Sequence, residues 1–168
     1  MSLDGFIAKP DGNVDWLKKV PNPENTDHGF AKFYETIDTT IMGNNTYKEI
    51  LGFGIPFPFQ DKKNFVLSRQ TQTDAEYVQF ETDAIALVNS LRSQEGRDIW
   101  LIGGGQINTL LLNHALIDEL LIRIVPIIIG EGLPLFAERP LETIFKLIKI
   151  DQFSTGTVQL TYHPIDKK

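Results

Sequence analysis

Short apolar runs alternate with stretches of helical periodicity through the first two thirds of the chain. Such runs predict buried strands, and stretches in which apolar residues recur about every three or four positions predict helices. The predicted strands are 2–8, 39–42, 64–67, 77–80 and 99–102, and the predicted helices start near Phe30, Thr46, Asp83 and Ile107. This alternation predicts an α/β fold with a mostly parallel central sheet flanked by helices.

The last third of the chain has a different pattern. Residues 119–125 predict a long strand, and the apolar run 127–130 continues it past a proline. Two further segments, 145–150 and 158–162, flank a Ser-Thr-Gly turn at 154–156. They predict a C-terminal antiparallel hairpin.

One long segment lacks either pattern. Residues 10–27 contain Asp11-Gly12-Asn13, further prolines and the aromatic Trp16. This composition is typical of turns, and it predicts a mobile flap without regular structure.

Composition narrows the class of protein. With 168 residues, 42% hydrophobic and 23% charged, the chain is expected to form one domain over residues 1–168. Its net charge of −6 argues against a general nucleic-acid surface, which needs a basic face. The chain has no cysteine and only three scattered histidines, so we expect no disulfide and no metal site. Without a membrane-length apolar run or a secretion signal, a cytoplasmic protein is expected.

Glycines stand between strand and helix at two places. Gly103, Gly104 and Gly105 follow the strand at 99–102, and Gly43 follows the strand at 39–42. Such a junction can bind an anion through the free N–H groups of the helix, or it can simply turn a corner. Ser68-Arg69 ends a third strand. Because ligands of α/β sheets bind at the carboxyl ends of strands, the three junctions together predict a nucleotide site.

The chain resembles the dihydrofolate reductase fold and, within it, the RibD C-terminal family, the reductase domain of riboflavin biosynthesis. The resemblance spans nearly the whole chain and rests on the order and spacing of five segments, 2–8, 41–47, 64–69, 102–105 and 126–136. It implies a reductase that transfers a hydride from NADPH to a pterin-like or pyrimidine-like heterocycle. It also implies a homodimer.

The resemblance assigns cofactor binding to residues near the three strand ends and to one residue of the first strand. These residues are Ile7, Gly43, Asn44, Asn45, Thr46, Leu67, Ser68, Arg69, Gly103, Gly104, Gly105, Gln106 and Ile107. Relatives commonly have arginine where this chain has Asn44, and that arginine can meet the 2′-phosphate of NADP. Arg69 is the expected substitute here, because its planar fork suits a phosphate.

The resemblance also suggests substrate and catalytic residues. Substrate contacts are expected from Asp4, Trp16, Phe33 and Leu133. Asp27 is the candidate proton donor, although an aspartate just before a helix is also a good N-cap and a water could deliver the proton.

Relatives have several more strand residues ahead of the position of Met1, so the first strand is expected to be clipped. Two other functions stay open: a nucleotide-binding protein without turnover, and an assembly module built on the apolar run 122–129. The alternative for that run is a buried core strand.

Overall fold

The computed structural model describes residues 1–165. The strands are β1 (Phe6–Ala8), β2 (Ile37–Gly43), β3 (Lys63–Leu67), β4 (Gln79–Glu81), β5 (Asp98–Gly103), β6 (Leu120–Ile124), β7 (Leu133–Pro134), β8 (Phe145–Gln152) and β9 (Val158–Pro164). The helices are α1 (Phe30–Thr36), α2 (Asn44–Leu51), α3 (Ala84–Arg92) and α4 (Gly105–Asn113), and a short 3₁₀ helix covers Asp15–Lys19.

The chain divides into two compact units. Unit 1 contains Met1–His28 and the chain from Thr109 onward, and unit 2 is the continuous segment Gly29–Asn108. The division falls within α4.

Unit 2 is built on a parallel four-stranded sheet with the order β4-β3-β2-β5. Its two central strands are buried along most of their length, as at Ile41, Met42 and Val66. The register sets Gly43 beside Leu67 on β3, and Met42 beside Gly103 on β5. The carboxyl ends of three neighbouring strands therefore lie level with one another.

A buried amide ties β3 to the segments around it. The Nδ2 of Asn64 lies 2.9, 2.8 and 2.9 Å from the carbonyl oxygens of Phe59, Lys62 and Tyr77, and its Oδ1 accepts the hydroxyl of Thr40 at 2.7 Å. These bonds satisfy the buried amide of Asn64 and the buried hydroxyl of Thr40.

Unit 1 contains two antiparallel sheets. One has the order β6-β9-β8, and β8 and β9 form the hairpin predicted for the C-terminal part of the chain. The other pairs β1 with β7. Gly132, directly before β7, lies so close to β1 that a Cβ at this position would be 2.1 Å from the carbonyl oxygen of Ala8. Only glycine fits there.

Three predicted elements differ in the structure. The first strand is shorter than 2–8, because the hydroxyl of Ser2 and the backbone form a turn that leads into β1. Residues 127–130 form no strand, because side chains and not a neighbouring strand bind their backbone groups. The Asp4 carboxylate accepts the N–H groups of Ile129 and Gly130, and Lys9 donates to the carbonyl of Ile129. The predicted strand at 77–80 starts later, at Gln79.

The segment 10–27 also differs from its prediction. It contains the 3₁₀ helix, and Trp16 on that helix is only 3% exposed. A large apolar side chain in the interior gives this segment the regular structure that its turn-rich composition concealed.

Across the described part of the chain, none of the helices has both the length and the apolar character that crossing a membrane requires.

Candidate functional site

The first strand end to consider is the junction of β2 and α2. Gly43 is the N-cap residue of α2, in an extended conformation, and no side chain caps the helix. Asn44, Asn45 and Thr46 form its first turn. The first N–H groups of an α-helix have no partners within the helix, so this end of α2 can accept an anion.

The second strand end is the junction of β5 and α4. The carbonyl of Gly104 accepts the N–H groups of Ile107 and Asn108 at 3.0 and 3.1 Å, which starts the helix. The peptide bond between Gly103 and Gly104 is cis. Gly103 has a φ of +113°, a conformation that L side chains rarely adopt. A glycine is therefore required at position 103 by the backbone itself.

These two junctions lie next to each other. A Cβ at Gly43 would be 3.4 Å from the Cγ1 of Ile107, and a Cβ at Gly104 would be 3.6 Å from the Oγ1 of Thr46. The first turns of α2 and α4 thus face a common region at the edge of the sheet. Two partial positive charges at one place favour a ligand with more than one negative group.

Helix α3 shows the contrast. Asp83, near which this helix was predicted to start, is its N-cap residue: the carboxylate accepts the N–H groups of Ile85 and Ala86, each at 3.0 Å. This helix carries its own anion at its N-terminus. Helix α2 has no such side-chain cap, and its first N–H groups remain available to an external anion.

The third strand end brings a cation to the same region. Leu67 ends β3 and is buried, whereas the hydroxyl of Ser68 accepts the Nε2 of Gln72 at 2.7 Å. Arg69 is exposed and donates from Nη2 to the Oε1 of Gln106, in the first turn of α4, at 3.0 Å. The three strand ends therefore meet as their position in the sheet predicts.

Unlike Gly103, Gly104 is not required to be glycine by its φ angle. Its φ lies outside the left-handed region, and of the described atoms beyond its chain neighbours only the Oγ1 of Thr46 would come within 4 Å of a Cβ. The fold would accept a methyl group at this position. The missing side chain leaves open space beside two helix N-termini, as a closely approaching diphosphate requires.

Phe33 also lies in unit 2, but on α1. Its ring packs edge to face on Trp100, with 5.3 Å between centroids. This contact belongs to an aromatic cluster of unit 2 and gives Phe33 a packing role.

The other predicted site residues belong to unit 1. Ile7 lies on β1 and is half-buried, and Leu133 lies on β7, where it pairs with Ala8 and is exposed. Asp4 precedes β1. Hydrogen bonds from the Ser2 hydroxyl and from the N–H groups of Gly130 and Ile129 lower the pKa of Asp4. Its carboxylate holds the 127–130 segment in place.

Trp16 has an unusual hydrogen-bonding state. Of the buried side-chain nitrogen and oxygen atoms in the described residues, its Nε1 alone lacks a protein partner. A buried indole N–H normally donates to something, because leaving it unpaired costs about 1–3 kcal/mol. A water or a ligand acceptor can supply that partner.

Asp27 lies two residues before the N-cap position of α1. Gly29 is the N-cap residue, with a φ of +74° and no side-chain cap. Asp27 instead acts on Arg123: burial lowers the pKa of the Arg123 guanidinium, and the Asp27 charge opposes that shift. Arg123 also donates to the carbonyl of His28 and to the Oε1 of Gln159, both at 2.8 Å.

Two residues near these sites escaped the sequence analysis. The amide of Asn108 is buried, and its Oδ1 would lie 3.5 Å from a Cβ at Gly103, so it lines the turn between β5 and α4. Arg123 looked like one polar residue within an apolar strand. A polar residue close to a glycine turn, or in the middle of an apolar strand, is the sequence feature that could have indicated these two residues.

The level strand ends and the four-stranded parallel sheet define an α/β protein with a dihydrofolate reductase-like fold. A family model described as the RibD C-terminal domain matches residues 58–159. The chain belongs to this family.

Similarities to individual proteins support this family membership. The chain is 37% identical over 164 residues to the uncharacterized protein YwjB of Bacillus subtilis (strain 168), covering 96% of this chain and 92% of that protein. A crystal structure from Shewanella sp. PV-4, provisionally assigned to riboflavin biosynthesis, is 33% identical, with a TM-score of 0.86 and coverage of 99% and 96%. A bifunctional deaminase and 5-amino-6-(5-phosphoribosylamino)uracil reductase from Thermotoga maritima shares the fold at 15% identity, with a TM-score of 0.70 and coverage of 97% and 54%.

Proposed function

We propose that this chain is an NADPH-dependent reductase of a pyrimidine-like or pterin-like heterocycle. The observation that carries the proposal is the open space at Gly104. Neither the backbone conformation nor the packing of the described residues requires a glycine there. Close approach of a ligand phosphate to the backbone does require one. Family membership supports the same reaction class.

The strand ends of unit 2 supply suitable groups for the cofactor. The first-turn N–H groups of α2 and α4 would bind the diphosphate, with Thr46 beside them. Arg69 and Gln106 lie together, so that the guanidinium can bind the 2′-phosphate that distinguishes NADPH from NADH. When bound, NADPH would supply a hydride.

Unit 1 supplies candidate groups for the substrate. The Nε1 of Trp16 is a buried donor in need of an acceptor, which a ring nitrogen or carbonyl of a heterocycle provides. Asp4 and Leu133 are the further proposed substrate contacts in this unit. Phe33, in unit 2, is a separate candidate contact. The charge of Asp27 acts on Arg123 and opposes the lowering of the pKa of that guanidinium by burial. We assign Asp27 to orienting the substrate as a carboxylate, with water as the source of the proton.

The experiment that tests the cofactor half is a titration of Gly104→Ala with NADPH, followed by tryptophan fluorescence. A methyl group in the open space should weaken binding at least about tenfold, which corresponds to about 1.4 kcal/mol. The melting temperature without ligand should stay within about a degree or two of that of the unmodified chain, because the fold tolerates the methyl group.

Gly52→Ala is the matched control. Gly52 ends α2 in a right-handed helical conformation, and a Cβ there would contact the carbonyl of Glu49 at 3.2 Å. This variant should bind NADPH as the unmodified chain does. Equal affinity of the Gly104→Ala variant for NADPH would show that the glycine only turns a corner, and would contradict the proposed site.

Turnover needs its own measurement. NADPH oxidation is followed at a fixed protein concentration with dihydropterins, dihydrofolate and ribosylaminopyrimidines offered in turn. Oxidation that depends on one of these compounds supports a reductase. Tight NADPH binding without oxidation in the presence of any of them would instead identify a nucleotide-binding protein without turnover.

A further inference from the structure

The backbone before Asp27 is fixed by a single side chain. Residues 21–29 form neither helix nor strand. Within them, the Oδ1 of Asn22 accepts the N–H of Thr26 at 3.0 Å, and the Nδ2 of Asn22 donates to the carbonyl of Thr26 at 2.8 Å. Both backbone groups of the residue that precedes Asp27 are therefore bound to Asn22.

The backbone after Asp27 is fixed as well. The N–H of His28 donates to the hydroxyl of Thr26 at 3.2 Å, and the carbonyl of His28 accepts the Nη2 of Arg123 at 2.8 Å. Asp27 thus lies between two residues whose N–H and C=O groups are all bound by side chains. Its own backbone is held in place although the segment has no regular structure.

The side chain of His28 holds the same turn in place. His28 has a φ of +53°, which residues other than glycine seldom adopt. Its Nε2 lies 2.8 Å from the Oγ1 of Thr155, and its ring packs edge to face on Phe153, with 5.0 Å between centroids. An unfavourable backbone conformation persists only where its surroundings hold it, and these contacts do so.

Arg123 is itself held by the C-terminal sheet. It lies half-buried on β6, opposite Gln159 of β9. Its Nε donates to the Oε1 of Gln159 at 2.8 Å, which orients the guanidinium. The charge of Asp27 also acts on this guanidinium. Arg123 is therefore linked to Asp27 both through the carbonyl of His28 and through charge.

Core packing does not account for this fixed segment. None of the residues 21–29 is fully buried, and ordering a loop costs conformational entropy. The segment nevertheless binds side chains from β6 and from the turn between β8 and β9. A side chain that must meet a ligand in one orientation needs such support from its neighbours. Asp27, exposed between the two fixed residues, is the side chain that these bonds place.

We propose that Asn22 and Arg123 are positioning residues for Asp27. They hold the backbone on either side of it, so that its carboxylate meets the substrate in one orientation. This inference rests on the proposed function, in which Asp27 orients a heterocycle. A carboxylate accepts two adjacent N–H donors of such a ring only when it is correctly oriented. Holding Asp27 in place before the ligand arrives reduces the entropy that this contact costs.

The test is a titration of the full chain with pterin, a heterocycle with adjacent N–H and amino donors, followed by the backbone amide signal of Asp27 in NMR spectra. Asn22→Ala and Arg123→Lys should each raise the dissociation constant for pterin at least about tenfold. Lysine keeps the positive charge at position 123 but lacks the planar fork. The amide hydrogen of Thr26 should exchange at least about tenfold faster in Asn22→Ala, because that N–H loses its acceptor.

Asn113→Ala is the matched control. Asn113 donates to the carbonyl of Arg139 at 3.1 Å and accepts the N–H of Leu141 at 2.8 Å. It therefore makes the same two kinds of contact as Asn22, in a different part of unit 1. This variant should bind pterin as the unmodified chain does. Melting temperatures establish that each variant is folded during the titration.

A double variant separates positioning from a general structural role. If Asn22 acts through Asp27, Asn22→Ala should have no further effect on pterin binding in a chain that already carries Asp27→Asn. If Asn22 acted independently of Asp27, the two losses would add, and the proposal would be overturned.

Three further results would overturn it. These are an unchanged affinity for pterin in both Asn22→Ala and Arg123→Lys, an unchanged exchange rate of the Thr26 amide in Asn22→Ala, and no response of the Asp27 signal to pterin in the unmodified chain. The oxidation of NADPH tests the proposed function separately. Pterin binding that depends on Asn22, without any oxidation of NADPH, would contradict the reductase and still support the positioning of Asp27.

Discussion

Arg69 and Gln106 are joined by a 3.0 Å hydrogen bond from Nη2 to Oε1, although they are far apart in the sequence and follow different strands. The bond fixes the exposed guanidinium beside the first turn of α4. An arginine held in this way is already placed for an anion, so less side-chain entropy is lost when the anion binds. Under the proposed function, this placement lets Arg69 supply the charge that Asn44 lacks.

Replacing Arg69 with alanine should therefore change cofactor selectivity. We expect the affinity for NADPH to fall about 10- to 100-fold, since a charge-assisted contact to phosphate contributes about 1.5–3 kcal/mol. The affinity for NADH, which lacks the 2′-phosphate, should change less than about threefold. Fluorescence titration with both nucleotides measures the two values.

Arg92→Ala provides the control for the loss of one positive charge. Arg92 lies in the last turn of α3 and should affect neither nucleotide. If Arg69→Ala weakened both nucleotides equally, Arg69 would not contact the 2′-phosphate.

Asn64→Ala should destabilise the protein strongly. The substitution leaves the carbonyl groups near Asn64 and the hydroxyl of Thr40 without their buried partner. We expect the free energy of unfolding to fall by about 3 kcal/mol or more, and urea denaturation measures it. The exposed Asn89→Ala on α3 should change it by less than about 0.5 kcal/mol. A loss below about 1 kcal/mol at Asn64 would contradict the role of this amide.

Gly132→Ala should disrupt the pairing of β1 with β7. A Cβ at this position would overlap the carbonyl oxygen of Ala8 at 2.1 Å, so the strands must separate. We expect a loss of about 2 kcal/mol or more in the free energy of unfolding, and faster hydrogen exchange in β1. Gly130→Asn nearby meets no atom within 4 Å and is strained only by its positive φ of +83°, which asparagine adopts more readily than most residues, so it should lose less stability than Gly132→Ala. Similar losses for both variants would argue against a steric cause.

The stability of the protein should depend on Asp38 in acid. The Oδ2 of Asp38 accepts the N–H of Arg97 at 2.7 Å, and this bond, with that from the Thr39 hydroxyl, lowers the pKa of Asp38 below 3.8. A depressed pKa stabilises the folded state above the unfolded-state pKa, and the contribution disappears as the pH falls through the folded-state pKa.

Asp38→Asn removes that titration. The difference in melting temperature between the unmodified chain and this variant should be largest above about pH 4 and should shrink below it. The exposed Asp98→Asn, at the first residue of β5, is the comparison. A difference in melting temperature that stays constant down to the lowest accessible pH would show that the hydrogen bonds of Asp38 do not make the stability of the protein depend on pH.

The strand ends of unit 2 could be predicted from the sequence because each one depends on local signals. An apolar run followed by glycine and a helical pattern determines both the strand end and the helix start, as at Gly43 and Gly104. The cap at Asp83 is equally local. Since parallel strands have level carboxyl ends, the meeting of these junctions follows from the fold class alone.

Features that depend on distant partners could not be predicted. The end of the predicted strand at 127–130 depends on Asp4, whose carboxylate comes from a distant part of the sequence. Trp16 belongs to a segment with turn composition, and its burial results from tertiary packing. The interaction of Asp27 with Arg123 likewise depends on a partner that is distant in the sequence.

Gly103, Gly104 and Gly132 would respond differently to natural selection. A library of variants selected only for folding would reject other residues at Gly103, because of its backbone conformation, and at Gly132, because of the neighbouring strand. The same library would accept alanine at position 104. If glycine nevertheless persists at position 104 in natural sequences, selection for ligand binding must have kept it there. Variation at this one position would then distinguish relatives that still bind the ligand from relatives that have kept only the fold.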